Sequence, residues 1–361
     1  MSARTTGQVR VVGSGLLGTS IGLGLRAADV DVVLDDASPS TLALAVDYGA
    51  GRRALPDDAP ALVVVAVPPD RTAEVVAAEL ARNPDALVTD VASVKAGPLA
   101  ELAAAGAPVE RYLGSHPMAG RERSGPIAAR ADLFLGRPWV ITPHGRSTDE
   151  QAARLEALAL DLGATPVRLP ADRHDDAVAV VSHAPQLVAS LLAARLVDAP
   201  AHATDLAGQG LRDTTRIAAS DPALWVQILT ANAERIAPVL EDLRDDLDAV
   251  LTALEAPSAP GAPRALADLL AAGNAGVARI PGKHGTDLKL ASLTVLIDDT
   301  PGQLARLLTE IGELGVNLED LRLEHSPGAP LGVVELQVAP EAASELVADL
   351  KQRGWRVAEW A

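Results

Sequence analysis

The chain of 361 residues contains no cysteine, and aromatic residues make up 2% of it. Without Cys there is no disulfide framework, no thiolate metal site and no Cys nucleophile. With one Phe, two Tyr and four Trp, the cores must be built from Ala, Val and Leu. Long apolar runs are missing as well: no stretch approaches the roughly 18 uninterrupted residues of a membrane span. The opening MSARTTGQVRVVG passes almost directly into a strand-like run and has no signal-type apolar region. A cytoplasmic enzyme or regulator is the expected class. Positive charge is scarce, the formal net charge being −17. No broad basic field exists to bind phosphates, which argues against nucleic acid and acidic membranes as partners. Lysine occurs only at Lys95, Lys283, Lys289 and Lys351, so an anionic small molecule would have to be held by locally gathered Arg and His. The histidines show no HxxxH or HExxH spacing and no carboxylate cluster accompanies them, so no metal is expected. There is no GxSxG motif of a serine hydrolase either.

What is present divides into three textures. Over residues 1–170, short apolar runs at 9–13, 30–35, 61–67 and 86–91 do not alternate, as is usual for buried parallel strands. Amphipathic stretches lie between them, giving a repeated βαβ pattern. Further strands are expected at 111–114, 138–142 and 165–169. Residues 171–285 lose strand signals and carry Leu and Ala at helical spacing from Asp172 to about Ala256. The stretch APSAPGAP (256–263) reads as a linker, one more helix follows from Arg264, and PGKHG (281–285) is a second break. Residues 286–361 read as a separate βαββαβ unit, whose first helix is stopped by Gly315. The predicted fold is an α/β Rossmann-like dinucleotide-binding domain, an all-α domain, and a small α+β domain.

The strongest local signal is VRVVGSGLLGTSIG, where Gly13, Gly15 and Gly18 form GxGxxG after a strand and at the mouth of a helix. The first glycine permits the tight turn and the second lets backbone approach a pyrophosphate. The third lets helix pack on strand, while the helix N-terminus at Leu16 and Leu17 faces the phosphates. The second strand ends at Asp35, where a carboxylate meets ribose hydroxyls and repels a 2′-phosphate, so NAD is expected over NADP. Val67 and Pro68, in AVPPD, close another strand at the cofactor edge. TDVASVKAG then places Ser93 and Lys95 at a strand end, where ordinary helix capping is the alternative reading. LGSHPMAG (113–120) sets His116 in a loop fenced by Gly and Pro, the setting of either a catalytic imidazole or a surface turn. In VSHAPQLVAS, His183 on an apolar face reads equally as a hydrogen-bonded core residue. LRDTTRIAASDPALW concentrates Arg212, Asp213, Arg216 and Trp225. Two guanidinia one helical turn apart suit a carboxylate, or form a solvated salt-bridge cluster.

Taken in order and spacing, GSGLLGTSIG, AVPP, DVASVK, GSHPMAG, VSHAPQ and LRDTTRIAASDPALW resemble the prephenate/arogenate dehydrogenase family of tyrosine biosynthesis. The C-terminal DDTPGQLARLLTEIGELGVNLEDL is similar to an ACT regulatory domain. The resemblance implies NAD-dependent oxidative decarboxylation of prephenate to 4-hydroxyphenylpyruvate. His116 would accept the proton of the ring 4-hydroxyl as hydride leaves, with Ser93 hydrogen-bonded to it. Arg216 would clamp a substrate carboxylate, His183 would contact the other end, Glu122 would stand at the site's edge and Trp225 near the pocket. Arg212 remains open as the alternative carboxylate ligand. Gln186 stands where a second His is frequent in the family, and as both donor and acceptor it leaves prephenate and arogenate as alternatives. Two other readings are another hydroxyacid dehydrogenase or imine reductase, which leaves the His116 loop and the C-terminal unit without a reason, and a non-catalytic NAD and amino-acid sensor, against which Ser93, His116 and Arg216 together argue. An amino-acid effector, tyrosine, is expected near Gly315 and Asn317, and a homodimer is expected on the Leu/Ala-rich helices.

Overall fold

The protein is described here from a computed structural model covering residues 3–120, 125–280, 290–325 and 331–358. The expected site residue Glu122 and the break at 281–285 lie outside the described residues.

The chain parts into two compact units, residues 1–200 with 214–243, and residues 201–213 with 244–361. The helical stretch is therefore shared between them rather than forming a body of its own. In the first unit, β1 (Val9–Val12), β2 (Val32–Asp35), β3 (Arg52–Arg53), β4 (Leu62–Val65) and β5 (Leu87–Asp90) make a parallel sheet ordered β3-β2-β1-β4-β5. Helices α1 (Leu16–Ala27), α2 (Pro39–Asp47), α3 (Thr72–Arg82) and α4 (Ala96–Ala104) connect these strands. Strands β1, β2, β4 and β5 are almost wholly buried, which explains their uninterrupted Val and Leu. One core gathers Val9, Val11, Ile21, Leu25, Phe134 and Trp139.

A second, three-stranded sheet contains β6 (Gly114–Pro117), β7 (Pro138–Thr142) and β8 (Thr165–Arg168), with α5 (Asp149–Asp161) between the last two. Here the structure corrects the sequence reading. The strand expected at 111–114 begins at Gly114, and His116 lies within it, opposite Val140 of the antiparallel β7. A loop is not needed because Gly114 provides the clearance: a Cβ there would sit 2.9 Å from Thr142 Oγ1 and 3.1 Å from the Tyr112 hydroxyl.

Helices α6 (Ala171–Val178) and α7 (Ala184–Ala194) are joined by a π-helical turn, Ala179–His183. Pro185 accounts for it, since a ring without N–H cannot continue regular α-helical bonding to the carbonyl four residues earlier. By length and composition the stretch Ala171–Ala194 could cross a membrane, yet it carries the buried polar residues His174, Asp175, His183 and Gln186. Then come α8 (Ala201–Asp205), α9 (Gln209–Thr215), a 3-10 turn Arg216–Ala218, α10 (Pro222–Ala231), α11 (Ala233–Glu255) and α12 (Ala262–Val277). Along α11, Leu243, Leu247, Leu251 and Leu254 are exposed at helical spacing.

The second unit ends in β9 (Ala291–Asp298), α13 (Gln303–Glu313), β10 (Leu318–His325), β11 (Leu331–Val338), α14 (Pro340–Gln352) and β12 (Arg356–Ala358). This is the expected βαββαβ order, folded as an antiparallel sheet β10-β11-β9-β12. Alternate residues of β9 and β11 are buried and meet Leu307, Ile311, Leu346 and Leu350 of the two helices. Gly315 follows the end of α13 with φ 72°, the left-handed stop its sequence position predicts.

Candidate active site

The strand order places β1 and β4 side by side with crossovers leaving in opposite directions, the point where α/β sheets bind ligands beyond their C-terminal edges. The glycine loop occupies that point. A Cβ on Gly18 would lie 1.9 Å from the Gly13 carbonyl oxygen, and one on Gly13 would lie 2.4 Å from that of Ala66. Loop and helix are therefore locked to each other and to the chain at Ala66, just before Val67 and Pro68, by backbone contact. Gly15 has nothing within 4 Å of where its Cβ would be, and α1 has no side-chain cap. The N–H groups at Leu16 and Leu17 thus open a helix whose N-terminus is clear for an anion. The Ser14 hydroxyl is buried with no hydrogen-bond partner among the described residues. This cradle fits a dinucleotide pyrophosphate.

Two carboxylates stand at the end of β2, Asp35 as its last residue and Asp36 just beyond, and the structure separates them. Asp35 faces the buried Arg10, which also bonds Glu79 at 2.8 Å, and lies 3.6 Å from Arg82. Asp36 instead accepts from the Ser14 backbone N–H in the glycine loop and from Ser38 N–H at 2.8 Å. The carboxylate at the loop is that of Asp36, one residue beyond the sequence expectation. A strand turns successive side chains to opposite faces, and the last residue of β2 turns toward the side of Arg10.

Beneath His116 lies a buried polar cluster. Asp90, ending β5, accepts from Lys95 Nζ, from the Tyr112 hydroxyl at 2.6 Å and from Ala92 N–H at 2.8 Å. Lys95 Nζ also donates to the Ser115 carbonyl at 2.8 Å, and Ser115 Oγ donates to the Asp90 carbonyl at 2.9 Å. These bonds fasten β6 to the C-terminal end of β5 and place the next residue, His116, just beyond the sheet edge. Burial drives the Lys95 pKa down against the opposing pull of Asp90. Burial and Asp90 both drive the Tyr112 pKa well above its usual value.

Half-buried His116 meets His174 of α6, Nδ1 to Nε2 2.9 Å. His174 Nδ1 lies 2.7 Å from Asp175 Oδ1, and the Asp175 carboxylate accepts the backbone N–H groups of Lys95 and Ala96, each at 2.9 Å. Burial, and after it the electrostatic influence of His174, Lys95 and His183 on a protonated ring, hold the His116 pKa well below 6.5. The ring is a neutral imidazole near pH 7. Burial raises the Asp175 carboxyl, but the bonds from His174 and the two N–H groups outweigh this and leave it lowered. His183 lies 3.1 Å from Asn232 Nδ2, which also donates to the Asp175 carbonyl at 2.9 Å. Trp225 faces the His183 ring edge-on at a centroid distance of 6.2 Å. Burial lowers the His183 pKa to about 4.

His116, His183 and Trp225 are thus linked through His174, Asp175 and Asn232, three residues that sequence reading had not singled out. Ser93 is half-buried in the bend between β5 and α4, and no hydrogen bond to His116 is present among the described residues. Gln186 is buried, with its amide 3.5 Å from Ser190 Oγ. The expectation that Arg212 and Arg216 share one helical turn is corrected: α9 ends at Thr215 and Arg216 starts a 3-10 turn packed on α7. Arg212 belongs to the second unit and Arg216 to the first. Asp213 accepts from Gln209 at 2.8 Å. Gly315 and Asn317 are exposed, with Asn317 donating to Glu319 at 2.8 Å.

Comparison with known proteins identifies the family. Residues 21–167 match the family profile "Prephenate dehydrogenase, nucleotide-binding domain", and residues 170–268 match "Prephenate dehydrogenase, dimerization domain". A probable prephenate dehydrogenase of Streptomyces niveus, NovF, is 37% identical over 353 residues, covering 96% of this chain and 98% of the relative. The crystal structure of Aquifex aeolicus prephenate dehydrogenase with hydroxyphenyl propionate and NAD+ matches with TM-score 0.65 at 26% identity, covering 75% of this chain and 98% of that one. Synechocystis arogenate dehydrogenase matches with TM-score 0.60 at 27% identity, covering 74% and 99%.

Proposed function

The chain belongs to the prephenate dehydrogenase family, and from that premise we propose that it converts prephenate to 4-hydroxyphenylpyruvate and CO2 with NAD. The observation that carries this reading is His116, neutral and half-buried, fastened beyond the C-terminal edge of a sheet that also presents the glycine cradle. When bound, NAD supplies the acceptor for the hydride leaving ring C4. His116 takes the 4-hydroxyl proton as the C4–O bond gains carbonyl character. A weakly basic imidazole suffices, because the hydroxyl becomes strongly acidic as hydride departs. The ring carboxylate then leaves as CO2, its bonding electron pair enters the ring, and the phenolate oxygen regains the proton from His116. Atoms and charge balance with no further reactant.

Arg216 is assigned to a substrate carboxylate, which a guanidinium binds through both oxygens, and Glu122 to the edge of the pocket. His183, Gln186 and Trp225 are assigned to the substrate side chain, and Ser93 to the hydroxyl. Asp36, with Gly13, Gly15 and Gly18, is assigned to the cofactor. The Asp36 carboxylate at the loop favours NAD over NADP by repelling a 2′-phosphate. The leucine stripe on α11 supports a homodimer, since such a face gains stability by burial. The C-terminal unit supports feedback by tyrosine bound near Gly315 and Asn317.

Arogenate is the second substrate to test, because Gln186 can pair with either a keto or an amino side chain. Formation of NADH or NADPH at 340 nm, measured with each substrate and with NAD or NADP, decides the matter. Turnover of prephenate with NAD is expected. Turnover of arogenate alone would reassign the substrate, and turnover of neither would refute the proposal.

A further inference from the structure

We propose that His174 and Asp175 are positioning residues that fix the tautomer of His116, leaving its Nε2 unprotonated to receive the substrate proton. The proposal rests on the reading of His116 as the proton acceptor. It starts from the hydrogen-bond inventory of the cluster. Asp175 can only accept, and two backbone N–H groups hold its carboxylate in place. The contact of Asp175 Oδ1 with His174 Nδ1 at 2.7 Å therefore puts the His174 proton on Nδ1. In the neutral ring, Nε2 of His174 is then a bare acceptor, and it lies 2.9 Å from His116 Nδ1. That contact is a hydrogen bond only if His116 carries its own proton on Nδ1. The free lone pair of His116 is consequently on Nε2, the nitrogen not used within the cluster.

The arrangement is rigid as well as directional. His174 and Asp175 are each 1% exposed. The chain bends into its π-turn immediately after α6, and Asn232 ties the Asp175 carbonyl to His183. When His116 accepts a proton, its Nδ1–H remains bonded to His174, and the Asp175 carboxylate opposes the new charge through that ring. Serine hydrolases hold their general base with one carboxylate; here a second imidazole lies between base and carboxylate.

Side-chain 15N spectra of the histidine-labelled full-length protein at pH 8, with His116 assigned by loss of its signal in His116→Asn, read the tautomer directly. The expected result is Nδ1–H for His116 in the wild type and a loss of that preference in His174→Phe, which keeps the ring volume and removes the acceptor. In turnover assays His174→Phe should lower kcat about ten- to a hundredfold, part of the roughly 10²–10⁴ due to a general base, with KM for substrate and NAD little changed. His174→Gln, whose amide oxygen can accept from His116 Nδ1, should recover much of the loss. An Nε2–H tautomer in the wild type, or an unchanged tautomer and kcat in His174→Phe, would overturn the proposal. The spectra need no substrate, so absence of turnover in the wild type would remove the substrate reading and leave the tautomer result standing.

Discussion

Lys95 provides a severe test of the buried cluster beneath His116. Its Nζ and the Asp90 carboxylate are both fully buried, and each depends on the other for charge balance. Lys95→Met keeps the length of the side chain and removes the ammonium. Asp90 would retain the Tyr112 hydroxyl and Ala92 N–H, but its charge would have no counterion and the Ser115 carbonyl would lose its donor. Removing one partner of a buried pair costs about 3–5 kcal/mol. Asp90→Asn should cost less, because a buried lysine whose pKa is already lowered can shed its proton. The double variant Asp90→Asn, Lys95→Met should then be more stable than Lys95→Met alone, with a coupling on the order of 1–3 kcal/mol in a double-mutant cycle. Urea unfolding followed by circular dichroism measures all four proteins. A Lys95→Met protein within about 1 kcal/mol of wild type, or singles that simply add, would show that the cluster is not a coupled ion pair.

Two further outcomes follow from the site. Asp36→Ala should raise the Kd for NAD about ten- to a hundredfold, the effect of losing one charge-assisted contact, whereas Asp35→Asn should change it far less and act through Arg10 on stability; calorimetric titration that reversed this order would return the ribose contact to Asp35. Because the His183 pKa falls from 6.5 unfolded to about 4 folded, the unfolded state binds more protons between these values, so stability drops as pH falls through that window, by about 3 kcal/mol in total. The pH slope of urea midpoints between pH 7 and pH 4.5 should be shallower in His183→Asn, and an unchanged slope would contradict the assignment.

Local patterns in the sequence carried the glycine loop, the four buried strands and the βαββαβ tail, because each is announced within a few residues by turn chemistry and hydrophobic period. The relay behind His116 was not legible. His174 sits in ADRHDD, a polar stretch that reads as helix surface, and is 58 residues from its partner. Only the packing of α6 against the strand ends makes it interior. Lys95 was visible as a motif member, yet its burial depends on Asp90, Tyr112 and the Ser115 carbonyl converging from two strands and a turn. The Asp35 and Asp36 assignment turned on a single strand-end position, where one residue reverses the face. His116 was expected in a loop because Gly and Pro surround it, whereas Gly114 serves close approach to Tyr112 and Thr142.

The most direct test of the account is the turnover of His116→Asn with prephenate and NAD beside the wild type, with NAD affinity measured on both. The account predicts that kcat falls at least about a hundredfold while NAD binds as before, since the glycine cradle does not involve this ring. Wild-type turnover by the variant would contradict the role of His116 as proton acceptor.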